Sequence, residues 1–295
     1  MIRFAKHGAP AGICSSAVLA PLALAVLITV SAVFGAGAAR AVSDGTEVRS
    51  RAEAPWNSTL IIKGDGPLQE RVTCGGALVT PRRVVTAAHC VSGMPLDELK
   101  RRIEVHVGAR ELSGDPGRTA QLTGVRAHPR YRLVPSPENP DSGTMSSATH
   151  DIAVLTLDRA VCEVPTLPVA DEAARVNDPA VLYGHGLTGP SSRGDVLRRG
   201  TYRVRPTEEC AEATPAVVDG ESMMCGRGWQ AEACLGDSGG PLVGYRSGRP
   251  ELIGVFSFGM ETAGEPCGTA GPNFFTEANA VHDWLVERLA DPVEG

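Results

Sequence analysis

Apolar and polar residues alternate over short runs through most of this chain. In "RIEVHVGAR" (102–110), Ile103, Val105 and Val107 alternate with Glu104 and His106, the period-2 pattern of a half-buried strand. "STLIIKG" (58–64), "RRVVTAA" (82–88), "DIAVLTL" (151–157), "PAVLYG" (179–184) and "ELIGVFSFG" (251–259) also predict strands. Turn clusters such as "GDG" (64–66) and "SGDPG" (113–117) separate them. One segment keeps helical spacing. In "NAVHDWLVERLA" (279–290), Val281, Trp284, Leu285, Val286 and Leu289 form one apolar face. Many short strands with a single terminal helix predict an all-β barrel or sandwich. "LVPSPENPDSGTMSSAT" (133–149) follows neither period and reads as a long loop, functional or mobile.

Composition agrees with that pattern. The chain has 295 residues, enough for one or two domains with a large core. Its 34 glycines and 22 prolines favour many turns over long helices. The formal net charge is −6, so no nucleic-acid footprint is present.

The first 41 residues read as a secretory leader. Arg3 and Lys6 form a basic start, residues 17–34 are apolar, and Ala39-Arg40-Ala41 fits the small-residue cleavage pattern. The alternative is a retained membrane anchor, since 18 apolar residues reach the lower limit for a span. Cleavage removes three cations and no acid, which takes the net charge from −6 to −9. Export makes disulfides the natural use of cysteine. Eight cysteines occur, and Cys14 leaves with the leader. Seven is odd, so at least one thiol of the exported chain lacks an intrachain partner. No C-x-x-C pair suggests a structural metal site.

The chemistry concentrates in "ACLGDSGGPLVG" (233–244). A serine hydroxyl is a weak nucleophile. It needs a base, a carboxylate to orient that base, and N–H donors for the developing oxyanion. Glycines beside Ser238 let the backbone approach a substrate. A second Asp-Ser-Gly at 141–143 reads as turn chemistry, because no strand or helix presents it. "GDSGG" also fits the nucleophile elbow of α/β-hydrolases, but that fold alternates strands and helices and places its histidine after the serine. Here only His282 follows, inside the predicted helix.

Upstream, "VVTAAHC" (84–90) places His89 at a strand end, and "HDIAVLTL" (150–157) starts an apolar strand with Asp151. The order His, Asp, Ser is then complete. "TAAHC", "DIAVLTL" and "GDSGGP" together resemble the chymotrypsin/trypsin-like serine proteases. "CGGALVTPRRVVTAAHC" (74–90), "GHG" (184–186) and "MMCGR" (223–227) add smaller similarities, and the resemblance spans most of residues 42–290.

The resemblance implies two packed antiparallel six-stranded β-barrels with a C-terminal helix. The first barrel would take about 42–170, the second about 171–279 and the helix about 280–290. It implies His89 as general base and acid, Asp151 as its orienter and Ser238 as nucleophile. Gly236 and Ser238 would supply the oxyanion N–H groups, and Ser257 matches the serine beside the aspartate. The implied disulfides are Cys74–Cys90, Cys210–Cys225 and Cys234–Cys267. Cys162 is left over, read as a buried small apolar side chain or one end of an intermolecular bridge.

Activation and specificity depart from the family pattern. Members usually insert a new Ile-Val-Gly-Gly terminus against the aspartate before the nucleophile, here Asp237. The nearest match is "VSDG", starting at Val42, where the predicted leader cleavage falls. Leader removal would then create the activating terminus; later cuts after Arg40 or Arg49 are the alternative. At the pocket floor, where the family places the residue that selects Lys or Arg, this chain has Glu232. Asn273 stands where glycine is usual, and Gly259 keeps the pocket mouth open. Glu232 favours a cationic side chain before the scissile bond. Satisfied by Asn273, it favours a small or uncharged one instead. The 133–149 segment, longer than is usual in the family, either restricts access to the cleft or is a tolerated insertion.

The resemblance thus implies a secreted serine endopeptidase, monomeric and without a cofactor. Its partners would be protein or peptide substrates and protein protease inhibitors, with membrane contact only if the leader is retained. The competing reading is a catalytically silent binding homologue of the same fold.

Overall fold

The computed structural model describes residues 42–138, 140–142, 145–188, 193–229, 231–259 and 271–292. The expected leader and Cys267 lie outside these residues. Among the described residues, no helix is long and apolar enough to cross a membrane.

Among the described residues, fifteen strands follow in chain order. The first nine are β1 (Thr46–Glu47), β2 (Asn57–Ile62), β3 (Val72–Thr80), β4 (Arg83–Thr86), β5 (Ile103–Val107), β6 (Arg118–Ala127), β7 (Arg132–Pro135), β8 (Met145–Thr149) and β9 (Ala153–Leu157). Then come β10 (Pro179–Gly184), β11 (Arg198–Arg205), β12 (Met223–Gly228), β13 (Pro241–Arg246), β14 (Arg249–Gly259) and β15 (Pro272–Glu277). Among the described residues, short helices α1 (Leu96–Arg102) and α2 (Thr207–Glu212) lie between strands, and α3 (His282–Ala290) follows β15. A 3₁₀ turn at Asn279–Val281 leads into α3.

Strands β2-β3-β4-β9-β6-β5 close into one antiparallel barrel. The second sheet runs β1-β11-β10-β13-β14-β15-β12, and a β11–β12 pairing closes its last six strands into a second barrel. This is the two-barrel all-β fold with a terminal helix that the resemblance implied. Strand β1 lies early in the chain yet pairs with β11, on the second barrel.

The cores follow from the inward positions. Leu60, Leu78, Val84, Val105, Leu122, Leu155 and Leu157 fill the first barrel, each at most 2% exposed. Leu182, Tyr202, Leu242, Phe256 and Phe275 fill the second. Burying each such side chain contributes roughly 1.5–3 kcal/mol. Trp56, just before β2, meets Tyr183 of β10 edge-on at 5.3 Å between ring centres, so the aromatic contact joins the barrels.

Several local readings change. His106 is buried rather than solvent-facing, with its ring nitrogens near the Pro116 carbonyl (3.0 Å) and Glu104 (3.2 Å). The 133–149 segment is not a plain loop; β7 and β8 pair as a hairpin across it. Disulfides join Cys74 to Cys90 and Cys210 to Cys225. Cys162 corrects the expectation of a leftover buried thiol. It is exposed and disulfide-bonded. Cys234 is likewise disulfide-bonded.

Candidate active site

The two barrels meet at a cavity of about 580 Å³. His89, Asp151, Ser238, Ser257, Glu232, Asn273 and Gly259 all line it. These residues come from five separate stretches of chain, and the fold brings them together.

His89 sits in a 3₁₀ turn, Ala88–Cys90, directly after β4. The Cys74–Cys90 disulfide ties that turn to β3. Asp151 lies just before β9, the strand that pairs with β4, so ladder register brings the two side chains alongside each other. The His89 backbone N–H donates to Asp151 Oδ1 at 2.8 Å, and His89 Nδ1 lies 2.6 Å from Oδ2. Ser257 Oγ, in β14, donates to the same Oδ2 at 2.5 Å.

This arrangement fixes the electrostatics. Asp151 is fully buried, and burial alone would push its carboxyl up. The neighbouring His89 and the hydrogen bonds from His89 and Ser257 outweigh burial and hold it below the ordinary carboxylate range. Burial pulls His89 down, but the Asp151 charge and hydrogen bond overcome it and raise the imidazole above its ordinary value. Nδ1 is thereby committed to Asp151, which leaves Nε2 as the nitrogen able to exchange a proton.

Ser238 lies in the turn leading to β13. Its carbonyl accepts the Gly75 N–H at 2.7 Å, which fastens this turn to the first barrel. Around it, the N–H groups of Asp237, Gly239 and Gly240 go to Cys234, Phe256 and Asp237 carbonyls at 2.8–3.0 Å. The N–H groups of Gly236 and Ser238 enter no backbone–backbone hydrogen bond among the described residues. Gly236 has φ of 93°, a conformation that a side chain at this position would resist.

Asp237 points away from the cavity into the protein. Its Oδ1 accepts the Gly186 N–H and its Oδ2 the Cys234 N–H, both at 2.9 Å. A Cβ at Gly186 would come within 2.5 Å of the carboxyl carbon, so the "GHG" glycines make room for this side chain. Burial pushes its carboxyl up to about 7 despite the two N–H donors. Val42 is fully buried, with its side chain over Gly200. The carbonyl of the next residue, Ser43, accepts the Glu232 N–H at 2.9 Å, so the segment after Val42 abuts a residue that lines the cavity.

Asn273, in β15, donates Nδ2 to Glu232 Oε2 at 2.8 Å. Burial raises the Glu232 carboxyl to about 7, partly offset by Asn273, the more distant Arg227 and a Gly271 backbone bond. Gly259 pairs with Asn273 across β14–β15.

Sequence reasoning placed the 133–149 segment at the cleft but named none of the side chains that line the cavity walls. Leu133, Glu138 and Met145 of the β7–β8 hairpin line one side, Thr214, Pro215 and Ala216 another, and Leu235 the rim. The hairpin had no apolar period to announce it. It also missed Ser222 and Thr276, two buried hydroxyls discussed below, for which the sequence holds no distinguishing signal.

Known proteins are similar to this chain in sequence and fold. The trypsin family's sequence model matches residues 43–285. A trypsin from Saccharopolyspora erythraea is 32% identical over 73% of this chain and 86% of its own length. The serine protease grass of Drosophila melanogaster is 28% identical over 84% of this chain and 68% of its own. A solved structure of neuropsin, a serine protease of mouse brain, superposes with a TM-score of 0.64 at 26% identity, over 83% of this chain and 99% of that one. With a two-barrel fold, a histidine–aspartate pair at the junction and a family match across both barrels, this chain belongs to the trypsin family of serine proteases.

Proposed function

We propose that the chain is a secreted serine endopeptidase. Ser238 is the nucleophile, His89 the general base and acid, and Asp151 the residue that fixes His89. The observation that carries this reading is the double hydrogen bond from His89 to a buried, ionised Asp151, facing the cavity that Ser238 lines.

In the proposed reaction Ser238 Oγ attacks the scissile carbonyl carbon while His89 Nε2 takes its proton. The N–H groups of Gly236 and Ser238 receive the oxyanion. The imidazolium, stabilised by Asp151, then gives its proton to the leaving amine, and the C–N bond breaks. Water repeats the sequence on the acyl-enzyme, releasing the acid and restoring Ser238. No step calls for a cofactor.

Substrate choice is proposed to rest on Glu232. As a carboxylate it complements a Lys or Arg side chain; held by Asn273, it tolerates uncharged ones. Activation is proposed to follow cleavage before Val42, whose new ammonium would pair with Asp237. A buried carboxylate with only two N–H donors supports this, because a cation relieves its desolvation. Leader removal by signal peptidase would make that terminus directly.

Hydrolysis of a quenched-peptide library by a chain beginning at Val42 tests the function. Cleavage that disappears in Ser238→Ala supports the peptidase. No cleavage by the wild type supports a silent binding homologue.

A further inference from the structure

Asp151 belongs in sequence to the first barrel, yet the second barrel holds the backbone on both sides of it. His150 adopts φ of 47°, a conformation disfavoured for a residue with a side chain. This conformation turns its N–H toward the second barrel, where Ser222 Oγ accepts it at 2.9 Å. The Ser222 hydroxyl donates onward to Asp219 Oδ2 at 2.5 Å. One residue later, the Asp151 carbonyl accepts from Thr276 Oγ1, in β15, at 2.9 Å. Ser222 and Thr276 are fully buried, and the Ser222 carbonyl accepts the Glu277 N–H at 2.9 Å, which links the two clamps.

The His150 ring closes the same junction. It stacks on His128 at 4.8 Å with 19° between planes, and His128 meets Trp284 of α3 at 4.9 Å. The charged groups around the stack are Arg130, Asp219 and Glu221. Asp219 lies 3.4 Å from His150 Nδ1, and Arg130 pairs with Glu221 at 2.9 Å. Burial first, then neighbouring cationic groups, pulls both imidazoles below their ordinary value, so the stack is neutral near pH 7.

We propose that Ser222 and Thr276 are positioning residues, through which the second barrel aligns the Asp151 carboxylate with His89. This rests on the reading of Asp151 as the orienter of His89. His89 itself stands on the first barrel, after β4. The alignment of the pair is therefore a joint property of both barrels. Ser257 reaches the Asp151 carboxylate, whereas Ser222 and Thr276 act on the backbone that carries it.

The test uses Thr276→Val, which removes the hydroxyl and keeps the shape. The readouts are kcat, KM and the titration of His89 followed by NMR of labelled histidine. A positioning role predicts a fall in kcat of about tenfold with KM within about twofold, because small misplacements act on the transition state. It also predicts that His89 titrates lower than in the wild type, because a displaced Asp151 supports the imidazolium less. Thr276→Ser restores both. Ser222→Ala shifts both in the same direction, and the partly exposed Asp219→Ala serves if the buried variants fail to fold. Unchanged kcat and His89 titration, with only a lower Tm, would overturn the proposal. If the wild type hydrolyses nothing, the peptidase reading fails, and the His89 titration alone still decides the positioning role.

Discussion

The Asn273 side-chain amide donates to Glu232 Oε2 at 2.8 Å, so this acid on the cavity wall already has a partner before any substrate arrives. A neutral amide satisfies hydrogen bonding without supplying charge. Glu232 therefore remains a carboxyl held near neutrality, at about 7, by burial.

The choice of substrate should then depend on pH. Below about 7 Glu232 is protonated and cannot attract a cation; above it the carboxylate can. The ratio of kcat/KM for Arg over Leu substrates should rise about tenfold between pH 6 and 8, as the ionised fraction rises. A flat ratio would remove Glu232 from charge selection. Stability should move the opposite way. The folded state binds this proton more tightly than the unfolded chain, so Glu232 makes the fold less stable as pH rises from about 4.5 to about 7. Glu232→Gln should remove that loss, as read from Tm across the same range.

Asp237 should require an ammonium. A chain starting at Val42 should be at least about a hundredfold more active than one with an extra residue before Val42, because a buried carboxylate left without a cation costs several kcal/mol. Peptide hydrolysis by the two purified forms measures this. Equal activity would exclude Val42 as the partner.

Asp151→Asn should lower kcat by about 10⁴-fold, through the wrong imidazole tautomer at His89. In the wild type, kcat/KM should rise with pH through the titration of His89, because only the neutral ring can accept the Ser238 proton. That limb should lie above the ordinary imidazole value, and it should move down in the variant. An unshifted limb would separate Asp151 from His89.

Replacing both Cys74 and Cys90 with serine should cost about 3 kcal/mol, the loop-closure effect expected for a short loop. Their sequence separation is 16, and the bond anchors the turn that carries His89. Denaturant unfolding reads the stability, and a larger fractional loss of kcat than of stability would show the turn shifting.

Much of this was legible because the signals were local. β2, β4, β5, β9, β10 and β14 are dense in β-branched and apolar residues, and His89, Asp151 and Ser238 each sit inside a compact motif. β11 was not legible. "RRGTYRVR" buries alternate residues, but Arg198 is one of them, paired at 2.7 Å with Glu47 on β1. β7 (RLVP) and β8 (MSSAT) are short, without alternation of apolar and polar residues, and are joined by a stretch holding Pro137 and Pro140, so their hairpin has no periodic trace in the sequence. Ser222 and Thr276 gain their meaning only when barrel closure brings them to His150 and Asp151, 72 and 125 residues away. The pairing of Cys162 was invisible for a similar reason, since cysteine count and motif spacing do not encode it.

The central claim is that Ser238 is a nucleophile activated by His89. Fluorophosphonate labelling of the chain beginning at Val42, read by intact mass and peptide mapping, tests it most directly. One adduct per chain is expected, on Ser238, absent in Ser238→Ala and strongly slowed in His89→Ala. No adduct on the wild type, or an adduct that persists in Ser238→Ala, would contradict it.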